Sequence, residues 1–214
     1  MKNSSLETRV SLSAQDWAEA ALDAMAAGGL EAVAVEPLAR RLGVTKGSFY
    51  WHFPTREALI QAALAAWEKR EIEDVIAHAD QHAGDPRERI HSLFREVANT
   101  DPRSERLLLV LSATDHLAAR ECVQRINERR RTYVCDCYRA LGLPEDEAHN
   151  WATFAHCIFM GTVRMRRDNP DALPAGPQFN EYLRFLIRTL IPPASPSAAV
   201  VRSAARLPRA AGNR

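Results

Sequence analysis

Hydrophobic residues recur at helical spacing along nearly the whole chain. From about residue 13 to residue 191, apolar positions repeat every three or four residues, and the periodic stretches end at glycine, proline or short polar segments. The sequence shows neither the strict alternation of a half-buried strand nor a glycine-rich phosphate loop. The pattern therefore predicts an all-α fold.

Two longer helices are predicted in the first part of the chain. The first spans about residues 13–27 and ends at Gly28-Gly29. The other begins near Pro54 and continues to about Ala79, with apolar residues at helical spacing. The segment His82–Pro86 then breaks the pattern and separates this part from the rest of the chain.

Two short helices joined by a tight turn are predicted between these longer ones. "VEPLARRLG", residues 35–43, has a proline in its first turn, where no backbone N–H is needed, and ends at Gly43 because left-handed backbone costs least without a Cβ. The next helix starts at Thr45, whose hydroxyl is predicted to cap it. Residues 34–53 thus predict a helix-turn-helix, which places its second helix in the DNA major groove.

The charge pattern supports this interpretation locally. Hydrophobic residues make up 46% and charged residues 26% of the chain, and the net charge is only +1, so the whole chain is not a polycation. Residues 40–56 nevertheless contain four bases and no acid, whereas residues 1–39 contain two bases and six acids. Positive charge in the N-terminal region is therefore confined to the segment that would meet phosphates.

The segment that follows the turn is more specific than a bare helix-turn-helix. "TKGSFYWHFPTREALIQAAL", residues 45–64, resembles the DNA-binding domain of the tetracycline-repressor (TetR) family of bacterial regulators. The resemblance rests on small residues at Gly47-Ser48, the aromatic run Tyr50–Phe53, a base at Arg56 and Leu59. It covers roughly Ser13 to Ala65, and beyond about residue 87 it rests only on the helix pattern and the chain length.

The resemblance implies DNA contacts for residues of the helix-turn-helix and its continuation, and a core position for Phe53. The residues predicted to contact DNA are Arg40, Arg41, Thr45, Lys46, Gly47, Ser48, Tyr50, Trp51, His52 and Arg56. Lys46 to Ser48 would face bases, and Thr45, Tyr50, His52 and Arg56 would reach phosphates. Two residues depart from the family pattern. Ala34 stands where many members have a capping threonine, and Pro37 is uncommon at its position.

The second half of the chain would, by the same resemblance, bind a small-molecule effector and form a homodimer. Helices Glu145–Arg167 and Gln178–Ile191 would pack against their copies in the partner, and the first is too apolar for the surface of a monomer. Ordinary core is the commoner explanation for each candidate pocket residue, and the candidates are Phe94, Leu108, Leu111, His116, Tyr133, Trp151, Phe154 and Phe159. The predicted domains are residues 1–56 and 57–191, with a disordered tail over residues 192–214.

Other features exclude several classes of function. No signal peptide or membrane-length apolar run is found, which predicts a cytoplasmic protein without membrane contact. No nucleophile–base pair or carboxylate dyad has usable spacing, so we expect no enzyme, no catalytic residues and no cofactor.

The four cysteines are expected to be free thiols. No metal site is expected, since His149 lies seven residues from His156 and its neighbour Cys157, and Cys135 and Cys137 point to opposite sides of one helix.

The sequence therefore predicts an all-α homodimeric regulator that binds a palindromic double-stranded operator. A repressor released by a small molecule of unknown identity is the main hypothesis, and repression against activation stays open. One alternative is a regulator of the same type without a small-molecule effector, which acts constitutively or is controlled by a protein partner. The other is a helical ligand-binding protein that does not grip DNA.

Overall fold

A computed structural model describes residues 12–81, 85–99 and 101–192, and these residues form helices joined by short turns. The all-α prediction is confirmed. From residue 193 onward, the tail predicted to be disordered lies outside the described residues. Within the part described, no helix is long and apolar enough to cross a lipid bilayer. The α-helices are α1 (Ala14–Gly28), α2 (Val35–Arg41), α3 (Lys46–Tyr50), α4 (Arg56–Lys69), α5 (Val75–Asp80), α6 (Pro86–Asn99), α7 (Pro102–Ser112), α8 (Leu117–Ala140), α9 (Glu145–Asp168) and α10 (Pro177–Leu190).

The helix predicted from Pro54 to Ala79 is divided in the structure. It begins at Arg56, because Thr55 has extended backbone and its hydroxyl accepts the N–H of Ala58 at 3.1 Å. A single π-helical turn, Arg70–Asp74, then separates α4 from α5. Such a turn inserts an extra residue into the helix, and apolar spacing alone does not reveal it.

The chain divides into two compact units, each with its own core. The first unit comprises residues 1–70 and 101–124, and the second comprises residues 71–100 and 125–214. Helix α7 and the start of α8 thus pack with the N-terminal helices. The predicted functional boundary after residue 56 stays a prediction, because the two units describe packing and not function.

The core of the first unit is built around α1. This helix packs against α4 and α7, and its Trp17 is fully buried. Leu59 and Trp67 of α4 and Leu111 of α7 are also fully buried. Ser13 holds the start of α1 in a reciprocal capping box with Asp16, so the helix that supports the helix-turn-helix has a fixed N-terminus.

The core of the second unit is centred on Tyr138 of α8. Its ring is fully buried, and its hydroxyl donates to the carbonyl oxygen of Leu190 at 2.7 Å. That carbonyl belongs to the last turn of α10, where no intrahelical donor is available. Ile90 of α6 and Ala152 of α9 are buried in the same cluster. The tyrosine thus joins the end of α10 to the long helices of this unit.

Candidate nucleic-acid interface

The turn between α2 and α3 has the geometry that the sequence predicts. Gly43 adopts φ +69°, and the N–H of Val44 donates back to the carbonyl of Ala39 at 2.9 Å. Leu38 and Ala39 face inward on α2 and are buried. The left-handed glycine therefore ends α2 and sets the angle at which α3 leaves the turn.

Phe49 anchors α3 from below, a role that the sequence analysis did not assign. Its ring is fully buried, with its centroid 5.3 Å from that of Trp17 and 5.9 Å from that of Phe53. Phe53 is buried, as predicted. The four-residue spacing of the two phenylalanines could have signalled a shared inward face. This aromatic cluster fixes α3 to α1 although α3 has only five residues.

The opposite face of α3 presents unburied aromatic and small residues. The side chain of Trp51 is 89% exposed and that of Tyr50 is 57% exposed. Lys46 and Gly47 are exposed beside them, and Ser48 and His52 are partly buried. Exposed large aromatics next to each other mark contact surfaces, since they gain little by facing water. The structure thus brings the central residues of the predicted DNA contact onto one surface.

Thr45 does not cap α3 in the predicted way. It occupies the N-cap position with extended backbone, but its hydroxyl makes no capping hydrogen bond. The N–H of Ser48, which the hydroxyl would accept, donates instead to the carbonyl oxygen of Thr45 at 3.0 Å. The prediction of a side-chain cap is therefore wrong, because the backbone turn has already satisfied that donor.

The basic residues of the helix-turn-helix are partly paired with acids of the same unit. Lys46 Nζ lies 2.8 Å from Glu36 Oε1, and this hydrogen bond lowers the pKa of Glu36 and raises that of Lys46. Arg41 Nη2 lies 2.6 Å from Asp23 Oδ2. Arg40 is exposed. Both pairs are partly open to water, where ion pairs are weak, so a phosphate can compete for either cation.

Arg56 has an internal role that the family resemblance does not imply. Its Nε donates to the carbonyl of Val33 at 2.6 Å, and its Nη2 donates to the carbonyl of Leu30 at 2.5 Å. These bonds tie the first turn of α4 to the connection between α1 and α2. The predicted phosphate contact of Arg56 stays a prediction, and its guanidinium already supports the fold of the helix-turn-helix.

An ion-pair network lies on the other side of α1. Arg103 of α7 is 2.9 Å from Glu19 and 2.9 Å from Asp23, and Arg70 approaches the same Glu19 at 3.3 Å. Since Asp23 also pairs with Arg41 of α2, one acidic face of α1 links α2 with α7. The network could not be predicted from the sequence, because its partners are 18 to 84 residues apart in the chain.

The residues predicted to line an effector pocket are divided between the two units. Leu108, Leu111 and His116 belong to the first unit, and the ring of His116 lies 3.3 Å from Glu57. The other five belong to the second unit. There, the Tyr133 hydroxyl donates to Asp80 at 2.6 Å, whereas the side chain of Phe154 is 48% exposed. Phe154 is therefore not a core residue of the chain taken alone.

Comparison with known proteins identifies the N-terminal region. Residues 18–63 match the profile of the family described as "Bacterial regulatory proteins, tetR family". The transcriptional regulator TtgR of Pseudomonas putida is 29% identical over 130 residues, which cover 58% of this chain and 60% of TtgR. SrpR of Pseudomonas putida is 40% identical over 48 residues, 22% of each chain. The chain thus spans about 60% of the length of the first of these relatives.

Solved structures show that the likeness in fold extends over most of the chain. A TetR transcriptional regulator from Legionella pneumophila superposes with a TM-score of 0.67 at 15% identity, covering 86% of this chain and 100% of that one. A transcriptional regulator from Rhodococcus sp. Rha1 gives a TM-score of 0.65 at 22% identity, covering 85% and 100%. Residues 18–63 therefore match the DNA-binding domain of the TetR family of bacterial regulatory proteins, and the described residues share the helical fold of solved TetR regulators.

Proposed function

We propose that this chain is a homodimeric transcription regulator that inserts α3 into the major groove of a palindromic operator. The observation that carries the proposal is the exposed surface formed by Lys46, Gly47, Tyr50 and Trp51 on a helix held from below by Phe49. The N-terminus of a recognition helix faces base edges and phosphates, and small residues there permit a close approach. The protein would act in the cytoplasm, where a bacterial regulator meets its operator.

Replacing Lys46 by alanine and Tyr50 by phenylalanine tests this placement. Both side chains are exposed, so each variant is expected to keep the melting temperature and the oligomeric state of the parent. Each should weaken binding to a fluorescently labelled operator, because a phosphate or base contact is lost. Arg129→Ala, which removes an exposed arginine of α8, is the matched control and should bind like the parent. Unchanged affinity in both α3 variants would show that α3 is not the recognition helix.

The dimer is supported by apolar side chains that the second unit leaves exposed on its last two long helices. Phe154 on α9 is 48% exposed and Phe185 on α10 is 56% exposed, and Met165 on α9 is exposed as well. Large apolar side chains on adjacent long helices are typical of homodimer interfaces. Two recognition helices related by a twofold axis would then contact half-sites about 34–36 Å apart.

Phe185→Glu tests the dimer. A carboxylate at the centre of an apolar interface would remain unpaired, so we expect a monomer by light scattering and loss of operator binding. Arg184→Glu changes the charge of an exposed neighbour on α10 and serves as the control. A Phe185→Glu protein that stays dimeric would place the interface elsewhere.

A small-molecule effector is supported by an unusual arginine in the second unit. Arg130 of α8 forms a buried ion pair with Glu71, and its guanidinium carbon lies 5.2 Å from the centroid of the Phe159 ring. Its second terminal nitrogen, Nη1, is buried and has no hydrogen-bond partner among the described residues. A ligand with an acceptor group and an apolar or aromatic body would satisfy that nitrogen and pack on Phe159.

The proposed mode of control is release of DNA when the effector binds. An effector that binds one conformation of the dimer better than the other shifts the population away from the form that fits DNA, and release of DNA is the expected response. Titration of the operator complex with small carboxylic acids tests this. Displacement by such a compound from the parent, and not from Arg130→Met, supports an effector at Arg130. The same titration response in both proteins would move the effector elsewhere, and no response to any compound favours a regulator without one.

A further inference from the structure

Three potential metal ligands meet where α8 ends and α9 begins. Gly142, at φ +93°, lies in the turn between these helices, and side chains near the end of α8 contact side chains in the first turns of α9. Cys135 of α8 and Glu145 and His149 of α9 come together there, with one potential ligand atom from each lying within 4.8 Å of the others. None of these residues belongs to the proposed DNA-binding surface.

The distances match those between ligands of one tetrahedral ion. Cys135 Sγ lies 3.6 Å from His149 Nδ1, and Glu145 Oε1 lies 3.4 Å from the same nitrogen. With Zn–S bonds of about 2.3 Å and Zn–N and Zn–O bonds of about 2.0 Å, tetrahedral angles separate S from N by about 3.5 Å and N from O by about 3.3 Å. Two of the three separations therefore already suit one zinc ion, and the third, between the sulfur and the carboxylate oxygen, is within 4.8 Å where about 3.5 Å is needed.

The neighbours of the cluster leave the necessary atoms available. Arg139 Nε binds the other carboxylate oxygen of Glu145, Oε2, at 2.8 Å, which orients the carboxylate with Oε1 toward the histidine. His149 Nδ1 lies 3.2 Å from the carbonyl oxygen of Glu145, one helical turn earlier. A hydrogen bond there requires a proton on Nδ1, and a bound metal would take the place of that proton.

We propose that Cys135, Glu145 and His149 bind a Zn²⁺ ion or a similar thiophilic divalent ion. Thiolate, imidazole and carboxylate are all zinc ligands, and Glu145 and His149 have the i, i+4 spacing at which one helix presents two ligands to one ion. Binding forms one Zn–S, one Zn–N and one Zn–O bond. It releases the thiol proton to solvent, and the histidine stays neutral because the proton lost from Nδ1 is replaced by one on Nε2. The fourth position is left for water or another small ligand.

The burial of the ligands shows how an ion would enter and what it would hold. Cys135 is buried, whereas the side chains of His149 and Glu145 are 59% and 55% exposed. The ion would reach the thiol from the solvent side, between the two exposed ligands. Once bound, it would join α8 to the first turns of α9 by direct bonds, so the metal is expected to stabilise the second unit.

Sequence spacing alone did not suggest this site. Along the sequence, His149 is nearest to His156 and Cys157 of its own helix, and that seven-residue spacing is poor for a metal site. The structure supplies a cysteine from a different helix, 14 residues earlier in the chain.

Direct titration of the purified protein with Co²⁺ and Zn²⁺ tests the proposal. Cobalt should give a thiolate-to-metal charge-transfer band and the visible bands of a tetrahedral site, at one ion per chain. Zinc should displace the cobalt and raise the melting temperature. His149→Ala, which alters an exposed side chain, and Cys135→Ser should each weaken zinc binding by at least about tenfold. Cys157→Ser and His156→Ala are the matched controls and should bind zinc like the parent.

Two results would overturn the proposal. One is a cobalt spectrum without a thiolate band, and the other is zinc affinity in His149→Ala equal to that of the parent. Because the readout is metal binding and not operator binding, it is independent of the proposed regulatory function. If Cys135→Ser fails to fold, His149→Ala still decides the outcome.

Discussion

Replacing Arg56 by methionine is expected to destabilise the helix-turn-helix and also to lower its affinity for DNA. Methionine keeps much of the aliphatic side chain but loses both bonds to the carbonyls of Val33 and Leu30. A hydrogen bond from a charged donor contributes about 1.5–3 kcal/mol when well buried. Since the side chain is 39% exposed and water can rehydrate the freed groups, the loss should be about 1–2 kcal/mol in all.

The experiment separates the two roles of this arginine. A loss of about 1–2 kcal/mol lowers the melting temperature of a chain of this size by roughly 2–8 °C, which calorimetry can resolve. If Arg56 also contacts a phosphate, its loss in Arg56→Met should in addition reduce the magnitude of the slope of log affinity against log salt by about one unit. Arg40→Met, which alters an exposed arginine of α2, should leave the melting temperature unchanged. An unchanged melting temperature in Arg56→Met would refute the argument that its two carbonyl bonds support the fold.

Three further predictions concern the same chain. Glu36→Gln frees Lys46 from its ion pair and should tighten operator binding roughly two- to fivefold at low salt, as fluorescence anisotropy would show; weaker binding would contradict this. Gly43→Ala meets no atom within 4 Å but must adopt φ +69°, so it should cost about 1–2 kcal/mol in urea denaturation, and no loss would refute a strained turn. In thiol labelling of the monomeric Phe185→Glu protein at pH 8, Cys157, which is exposed in the single chain, should react first. Cys137, whose pKa burial raises to about 12, should react only on unfolding; equal rates would contradict its burial.

The sequence was sufficient for the helix pattern and for the exposed face of α3. The spacing of apolar residues located the long helices, and Gly43 identified the turn because few other residues adopt its backbone conformation. The profile match over residues 18–63 also confirms the resemblance to the TetR family. These features are local in the sequence, which is why they could be read from it.

Contacts between distant residues could not be read in the same way. The bonds of Arg56 to carbonyls 23 and 26 residues away, and the pairs of Arg103 with α1, depend on how the helices pack. The basic segment accordingly carries less free charge than its composition suggests, because Arg41 and Lys46 have acidic partners. Thr45 is a further example, because its hydroxyl is chemically suited to cap α3 but makes no capping hydrogen bond.

Selection of binding sites from random duplex DNA would show whether α3 reads a DNA sequence. The purified protein would be mixed with the library, and the retained duplexes would be sequenced. The account predicts a palindrome with a fixed spacing between half-sites, lost in Lys46→Ala and in Phe185→Glu. A folded, dimeric protein that enriches no sequence would contradict the assignment of α3 as a DNA-reading helix.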